Sequence, residues 1–135
     1  MLMELTTKQL RRLLDLVYIG NWILNSTRES DRIQEYDDVE SLVFAQCERA
    51  GMPTLYECAD GEVVPSRAFA EGGIHEAIMD YEDTVFFEIL AEELARRDMQ
   101  EEDLDEGDLD ELNERITAYI DEFERNGTDN IFINL

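Results

Sequence analysis

The 135-residue chain is short of several residue types that often define a protein class. It has one lysine, one histidine, two cysteines and two prolines. So little proline excludes collagen-like or long low-complexity sequence, and two cysteines are too few for the disulfide scaffold of a small secreted domain. Cys47 and Cys58 form no CxxC pair. We therefore expect reduced thiols, buried or half-buried, rather than metal ligands or a bridge.

The chain also lacks a long apolar run. The best candidate, Leu13 to Leu24, is interrupted by Asp15 and Asn21, so it is too short and too polar for a bilayer span of about 20 residues. Basic residues precede it, but no small-residue cleavage site follows, which argues against a secretion signal. We expect a cytoplasmic protein. Its 44% hydrophobic content is ample for a core and predicts a single globular domain over residues 1–135.

Negative charge dominates the composition. Thirty-four acids against eleven bases give a formal net charge of −23, and residues 1–28 carry a balance of +2, so the remainder carries −25. The densest acidic stretch runs from Asp80 to Glu111. Such a field repels phosphate backbones and disfavours direct nucleic-acid binding. Three explanations stay open: solubility through self-repulsion, a high-salt host, or docking of a basic partner such as a nucleic-acid-binding protein or a cationic toxin.

Helical periodicity begins near the N-terminus. Thr6 or Thr7 can cap a first helix that runs to about Ser26. Its second half is apolar on nearly every side, which is typical either of a central core helix or of a homodimer seam. Its regular apolar stripe is Leu10, Leu13, Leu14, Val17 and Leu24.

A second helix is predicted from Ser30 or Asp31 to Gly51, joined to the first by a very short link, so the two should form an antiparallel hairpin. Its predicted buried face is Ile33, Tyr36, Val39, Val43, Cys47 and Ala50.

Between residues 54 and 70 the helical period disappears. Asp60-Gly61 lies between two β-prone runs, Leu55 to Cys58 and Glu62 to Val64, which is a hairpin signal. Pro65 should end the second strand or place it at an edge. Since an isolated hairpin is marginal, residues 131–133 are the candidate third strand.

Two further helical regions follow. Gly72-Gly73 opens a short helical piece, after which Asp83 or Thr84 can cap a stronger helix that ends near Arg97 or Asp98. Its predicted apolar residues are Val85, Phe86, Ile89, Leu90 and Leu94. A fourth helix should begin after Asp108 and end at Asn126-Gly127. The fold class is therefore mainly α (α+β), with about four helices and a small antiparallel hairpin or three-stranded sheet.

No residue pattern predicts catalysis, a cofactor or a metal. The acidic run 101–108 fails the calcium-loop spacing, because Leu104 falls on the third ligand position and Asn113 falls where a bidentate Glu belongs. His75 has acids nearby and reads as a surface or capping residue. Its candidate nucleophiles, Ser66, Cys58 and Cys47, stand in no activating context. A small hydrolase using His75 is the enzyme alternative; we predict a protein that is not an enzyme.

Two segments carry a resemblance. Tyr81 to Asp98 has an Asp-Thr start, an aromatic pair, an acidic-aliphatic middle and an Ala-Arg-Arg-Asp finish, and Tyr18 to Trp22 forms a shorter block. Both resemble segments of a family of small acidic bacterial proteins that are uncharacterised. The resemblance implies no reaction, cofactor or catalytic residue.

The sequence therefore favours a non-enzymatic accessory or protein-interaction protein, with a homodimer through the first helix as one arrangement. The alternative is an acidic decoy or inhibitor that covers a basic nucleic-acid-binding protein or toxin. The acidic patch predicted to bind such a partner consists of Asp103, Asp105, Asp108, Asp110 and Glu111.

Overall fold

The computed structural model describes residues 1–135. It is mainly helical with one two-stranded antiparallel hairpin, which confirms the predicted fold class. Contacts between residues group the chain into two compact units, unit 1 (residues 1–78) and unit 2 (residues 79–135). That the whole chain is one domain stays a prediction. None of the helices has both the length and the apolar character needed to cross a bilayer.

Helix α1 of unit 1 runs over Thr7–Asn25 and starts as predicted. The Thr6 hydroxyl accepts a hydrogen bond from the Gln9 amide at 3.2 Å, and the Gln9 side chain accepts one from the Thr6 amide at 2.9 Å, a complete capping box. Leu14 is fully buried, whereas Leu16 and Ile23 are 68% and 63% exposed. The helix is thus not covered on every side.

The prediction of a very short link and a start at Ser30 or Asp31 is wrong. Helix α2 occupies Gln34–Phe44 and a short α3 occupies Gln46–Arg49. The eight linking residues return over the end of α1 because the buried Asn25 carboxamide accepts from the Ile33 amide at 2.8 Å and donates to the Ile33 carbonyl at 3.0 Å. Side-chain hydrogen bonds of this kind compete with helix formation.

The predicted buried face of the second helix is only partly correct. Cys47 is fully buried as expected, but Tyr36 and Val39 are exposed, and Phe44 takes the central core position. The α2–α3 segment ends at Gly51, whose φ of +70° suits glycine.

The hairpin is confirmed in unit 1. Strands β1 (Tyr56–Ala59) and β2 (Glu62–Pro65) pair antiparallel, with Cys58 opposite Val63. Asp60 and Gly61 both have positive φ, as a type I′ turn requires. The third strand is not formed, since residues 131–135 have no regular structure.

The core of unit 1 draws on four helices and on the hairpin. Phe69 enters it from the short helix α4 (Arg67–Phe69), which periodicity did not predict and which Ser66 caps at 3.1 Å. The Phe44 and Phe69 rings meet edge to face at 4.9 Å. The fully buried cluster is Leu14, Phe44, Cys47 and Phe69. Tyr56 and Val63 of the hairpin, and Leu55 just before it, pack at the edge of this cluster.

Helix α5 runs without interruption over His75–Glu101, after a π-helical turn at Ala70–Ile74 in which Gly73 has φ +106°. The prediction of a new start at Asp83 or Thr84 is wrong. The Thr84 hydroxyl donates to the Asp80 carbonyl at 3.0 Å, so it continues the preceding turn and caps nothing.

In unit 2, helix α6 (Leu109–Asn126) begins and ends as predicted. The Asp108 carboxylate accepts from the Glu111 amide at 3.1 Å, and Gly127 follows the last turn. The α5 part of unit 2 lies antiparallel to α6. Their seam buries Ala91, Ala95, Met99, Leu112 and Phe123.

Candidate functional site

The predicted acidic patch lies between α5 and the first turn of α6, and part of it stabilises that turn. Asp105 accepts from the Gly107 amide at 2.9 Å, Asp108 caps α6, and Glu111 pairs with Arg115 at 2.6 Å. Asp103 and Asp110 are exposed and take part in none of the side-chain hydrogen bonds or ion pairs. Only these two carboxylates of the patch are without a partner inside the chain.

A second surface of unit 2 is an open groove between α5 and α6, of about 640 Å³, here called the α5–α6 groove. It combines an apolar floor with carboxylates on both walls. The floor is formed by Phe87, Ile116, Ile120 and Phe123; Glu88, Glu92 and Glu124 line its walls, and Thr84 lies at one end.

The groove follows from there being only two helices in unit 2. Two packed helices bury one seam, and the residues that flank this seam, which a third helix covers in a bundle, stay open. Phe87 and Phe123 contact each other with ring centroids 5.4 Å apart, and Phe123 is almost completely buried. The floor is therefore anchored to the packed seam between α5 and α6.

The charge of the groove and of unit 2 around it is predominantly negative. Unit 2 has twenty acids and four arginines, a net charge of −16. Each arginine is already paired: Arg96 with Glu92 at 2.7 Å, Arg97 with Asp98 at 2.6 Å, Arg115 with Glu102 at 2.7 Å, and Arg125 with Asp121 at 3.9 Å. Glu88 and Glu124 take part in none of the ion pairs, so two wall carboxylates remain without a counter-charge.

Beside the helix seam, Asp98 accepts hydrogen bonds from Tyr119 and Arg97. Burial alone would raise the pKa of Asp98, but these two donors outweigh it and hold that pKa below its ordinary value. Burial, and then the bond to Asp98, raise the pKa of the Tyr119 hydroxyl. The trio ties α5 to α6 and leaves no acid or base poised near neutral pH.

Unit 1 has a smaller polar cavity of about 220 Å³. Asn21 donates to Asp37 at 2.9 Å, and Arg32 pairs with the same carboxylate at 2.6 Å. Burial raises the pKa of Glu40, which lies at the cavity without an arginine partner of its own. The lining residues are Tyr18, Asn21, Trp22, Ser26, Arg32 and Glu40.

His75 is half-buried, in contrast to the surface or capping position that the sequence suggested. Its Nε2 lies 2.6 Å from the Tyr18 hydroxyl, and its ring meets the Trp22 ring edge to face at 4.7 Å. Ser66 donates to the Thr54 carbonyl at 2.6 Å and caps α4.

Both cysteines are free thiols. Cys47 is buried as expected, while Cys58 is exposed on β1, contrary to prediction. Burial raises the pKa of Cys47, which disfavours the reactive thiolate.

Sequence reasoning missed the groove. It named Phe86 and Ile89 among the apolar residues of the third helix, yet both are more than half exposed, and Phe87, which it did not name, lies in the groove. The sequence signal for the groove is a stripe of residues spaced by four positions: Phe87, Ala91, Ala95 and Met99. The small alanines in this stripe permit close approach of α6.

No group of three or more histidine, cysteine or acidic side chains is arranged to hold a metal ion. No family model matches the chain. No curated protein and no solved structure matches it either.

Proposed function

We propose that this chain is a non-enzymatic protein-interaction protein of a bacterial cytoplasm and that the α5–α6 groove receives its partner. The observation that carries the proposal is an apolar floor open to solvent between two carboxylate-bearing walls. Exposed apolar surface rimmed by polar residues is typical of interaction sites. Burial of the floor would supply binding energy, and the walls would supply selectivity.

The positions of the reactive side chains support a non-enzymatic role. His75 is bound to Tyr18 and packed against Trp22, Ser66 caps a helix, and Cys47 is buried in the core. Each is occupied by a structural contact, and none of the three bonds to another. A base aligned with a nucleophile is what hydrolysis of the usual kind requires.

The bacterial assignment is part of the same proposal and rests on the resemblance to small acidic bacterial proteins. Its two segments lie on α1, at residues 18–22, and on α5, at residues 81–98. The second segment contains Phe87, Glu88 and Glu92 of the groove.

Site-specific photo-crosslinking in cells that express the chain tests the function. A photoreactive residue replaces Thr84 at the end of the groove or, as the matched control on the same helix, the exposed Ile89 outside it. We expect a discrete protein adduct from position 84 and none from position 89. Equal labelling from both positions, or labelling from neither, would contradict the proposal.

The decoy or inhibitor remains a second candidate, and one observation favours it: Asp103 and Asp110 are exposed without a partner in the most acidic stretch of the chain. Binding of a basic nucleic-acid-binding protein should then weaken steeply with salt. It should also weaken in D103N/D110N but not in E57Q/E62Q, an equal charge change on the hairpin. Retention at high salt would eliminate this candidate.

A homodimer through α1 is also proposed, since the exposed Leu16 and Ile23 lie seven residues apart on one face of that helix. Sedimentation equilibrium should give twice the chain mass for the native protein and the chain mass for Leu16→Glu. A single chain mass for the native protein at all concentrations would reject this arrangement.

A further inference from the structure

We propose that the α5–α6 groove binds an amphipathic helix with basic flanks, supplied by a partner protein. This inference rests on the proposed function, because it names the chemistry of the partner for the same site. Three properties of the groove lead to it: its direction, its lack of free backbone groups, and its charge.

Both walls of the groove run along helix axes. On α5 the lining residues Thr84, Phe87, Glu88 and Glu92 are spaced by three and four residues, and on α6 Ile116, Ile120, Phe123 and Glu124 repeat the pattern. At 1.5 Å per residue, the α5 wall is about 12 Å long, or roughly two helical turns. A helix laid along this seam would complete a three-helix arrangement.

A helix fits this site better than an extended peptide does. The backbone groups in the middle of α5 and α6 are bonded within their own helices, and unit 2 contains no strand. A peptide that adds to a sheet depends on backbone partners, whereas a helix needs only side-chain contacts, with apolar anchors at i, i+3, i+4 and i+7.

The charge of the walls selects the flanks of that helix. Glu88 and Glu124 have no counter-charge within the chain, while Glu92 forms an ion pair with Arg96 at 2.7 Å. Lysine or arginine on either side of the apolar stripe would pair with these carboxylates at both walls. Acidic flanks would be repelled by unit 2, whose net charge is −16.

The same carboxylates argue against a second copy of this chain as the occupant. In a two-fold interface the same groove is presented by both copies, so Glu88, Glu92 and Glu124 of one copy would face the same three carboxylates of the other. Like charges brought together in this way oppose association. A foreign basic helix avoids that repulsion.

The test uses the full chain and three fluorescent peptides of about 18 residues, read by anisotropy and circular dichroism. The first has leucines at i, i+3, i+4 and i+7 with lysines elsewhere, the second replaces the lysines by glutamates, and the third has the composition of the first in shuffled order. We expect only the first peptide to bind saturably, with one site per chain, and to become more helical on binding.

Charge-matched variants locate the binding. E88Q/E124Q should lower the affinity for the lysine peptide about tenfold. E93Q/E114Q removes two carboxylates outside the groove and should lower this affinity at most about twofold. All four positions are exposed, so neither variant disturbs the core. An equal effect of the two pairs would overturn the proposal.

Apolar variants give a second readout. Ile120→Asn in the groove should strongly lower the affinity for the lysine peptide. Ile89→Asn, at an exposed position outside the groove, should leave this affinity unchanged. Circular dichroism checks that both variants remain folded.

The proposal fails if the shuffled or the glutamate peptide binds as well as the first, or if the chain self-associates in a way that Ile120→Asn abolishes. If position 84 still captures a protein in cells while no peptide binds, only the helix proposal fails; if both fail, the proposed function fails with it.

Discussion

Unit 1 and unit 2 bury their apolar residues in different ways, although both are mainly helical. Unit 1 closes a core around the large rings of Phe44 and Phe69, with contributions from helices and a hairpin. Unit 2 packs the α5 part of one long helix against α6 over a seam that includes Ala91 and Ala95, and it leaves a groove open.

The difference shows how the number of packed elements decides what remains accessible. Where a helix pair and a hairpin surround the same rings, the rings of Phe44 and Phe69 are themselves fully buried. Where only two helices meet, each keeps an uncovered flank. Unit 2 also carries −16 of the total −23, so its open apolar surface lies in a strongly negative field. The predictions below test this contrast, from the largest expected effect to the smallest.

Removal of a ring from the closed core should cost the most. Phe44→Ala deletes a fully buried side chain in contact with Phe69, and we expect the free energy of unfolding to fall by about 3–5 kcal/mol. Leu42→Ala on the same helix removes a side chain that is 66% exposed and should change it by no more than about 0.5 kcal/mol. Urea unfolding measures both. Similar losses for the two variants would show that unit 1 is not closed around its rings.

The second test concerns the buried amide that shapes the α1–α2 link. Asn25→Ala removes bonds to Asn21 and to both backbone groups of Ile33, and we expect a loss of about 1–3 kcal/mol, with faster hydrogen exchange at the Ile33 amide. Asn126→Ala, which loses one exposed bond to Glu122, is the control in unit 2. Unchanged exchange at Ile33 would mean that the link is held by other contacts.

The third test acts on the seam of unit 2. Tyr119→Phe removes a donor to Asp98 and should cost about 1 kcal/mol at pH 7, a value reduced for partial exposure. The pKa of Asp98 is lowered in the folded state, so its contribution is present above the unfolded value of about 3.9 and is lost as the pH falls through the folded value. The difference between variant and native protein should therefore shrink in acid. A difference that does not depend on pH would contradict this origin.

The smallest effect should have the opposite sign. Burial raises the pKa of Glu40 in unit 1, so the folded state holds its proton more tightly, and stability is lost as the pH rises through that raised value. Glu40→Gln should therefore raise the free energy of unfolding at pH 7 by roughly 0.5 kcal/mol and have no such benefit below about pH 4. Glu35→Gln, exposed on the same helix, serves as control. Destabilisation by Glu40→Gln at pH 7 would show that the carboxylate is needed in its charged form.

Local signals predicted the fold well where the chain decides its structure within a few residues. The caps at Thr6 and Asp108 and the Asp60-Gly61 turn depend on neighbours three or fewer positions away, and all three are confirmed.

Long-range contacts explain the failures. The start of α2 depends on Asn25, eight residues before Ile33, and the exposure of Phe86 depends on which α5 face meets α6. Periodicity ranks faces by hydrophobicity, so it preferred Phe86 and Ile89 to the small residues that allow helices to approach. The groove was missed for this reason, because its floor belongs to no single helix.

The placement of Lys8 has a practical consequence for anyone who studies binding to this protein. Lys8, the chain's sole lysine, and the exposed Cys58 both belong to unit 1, and unit 2 has neither an amine nor a thiol. Amine-to-amine linkers would join a lysine-rich ligand to this protein only in unit 1, at Lys8 or at the Met1 α-amine, and would form no bond to unit 2. Carbodiimide coupling, which joins carboxyls to amines without a spacer, is the reagent suited to unit 2, and dyes attached through Lys8 or Cys58 leave the groove unmodified.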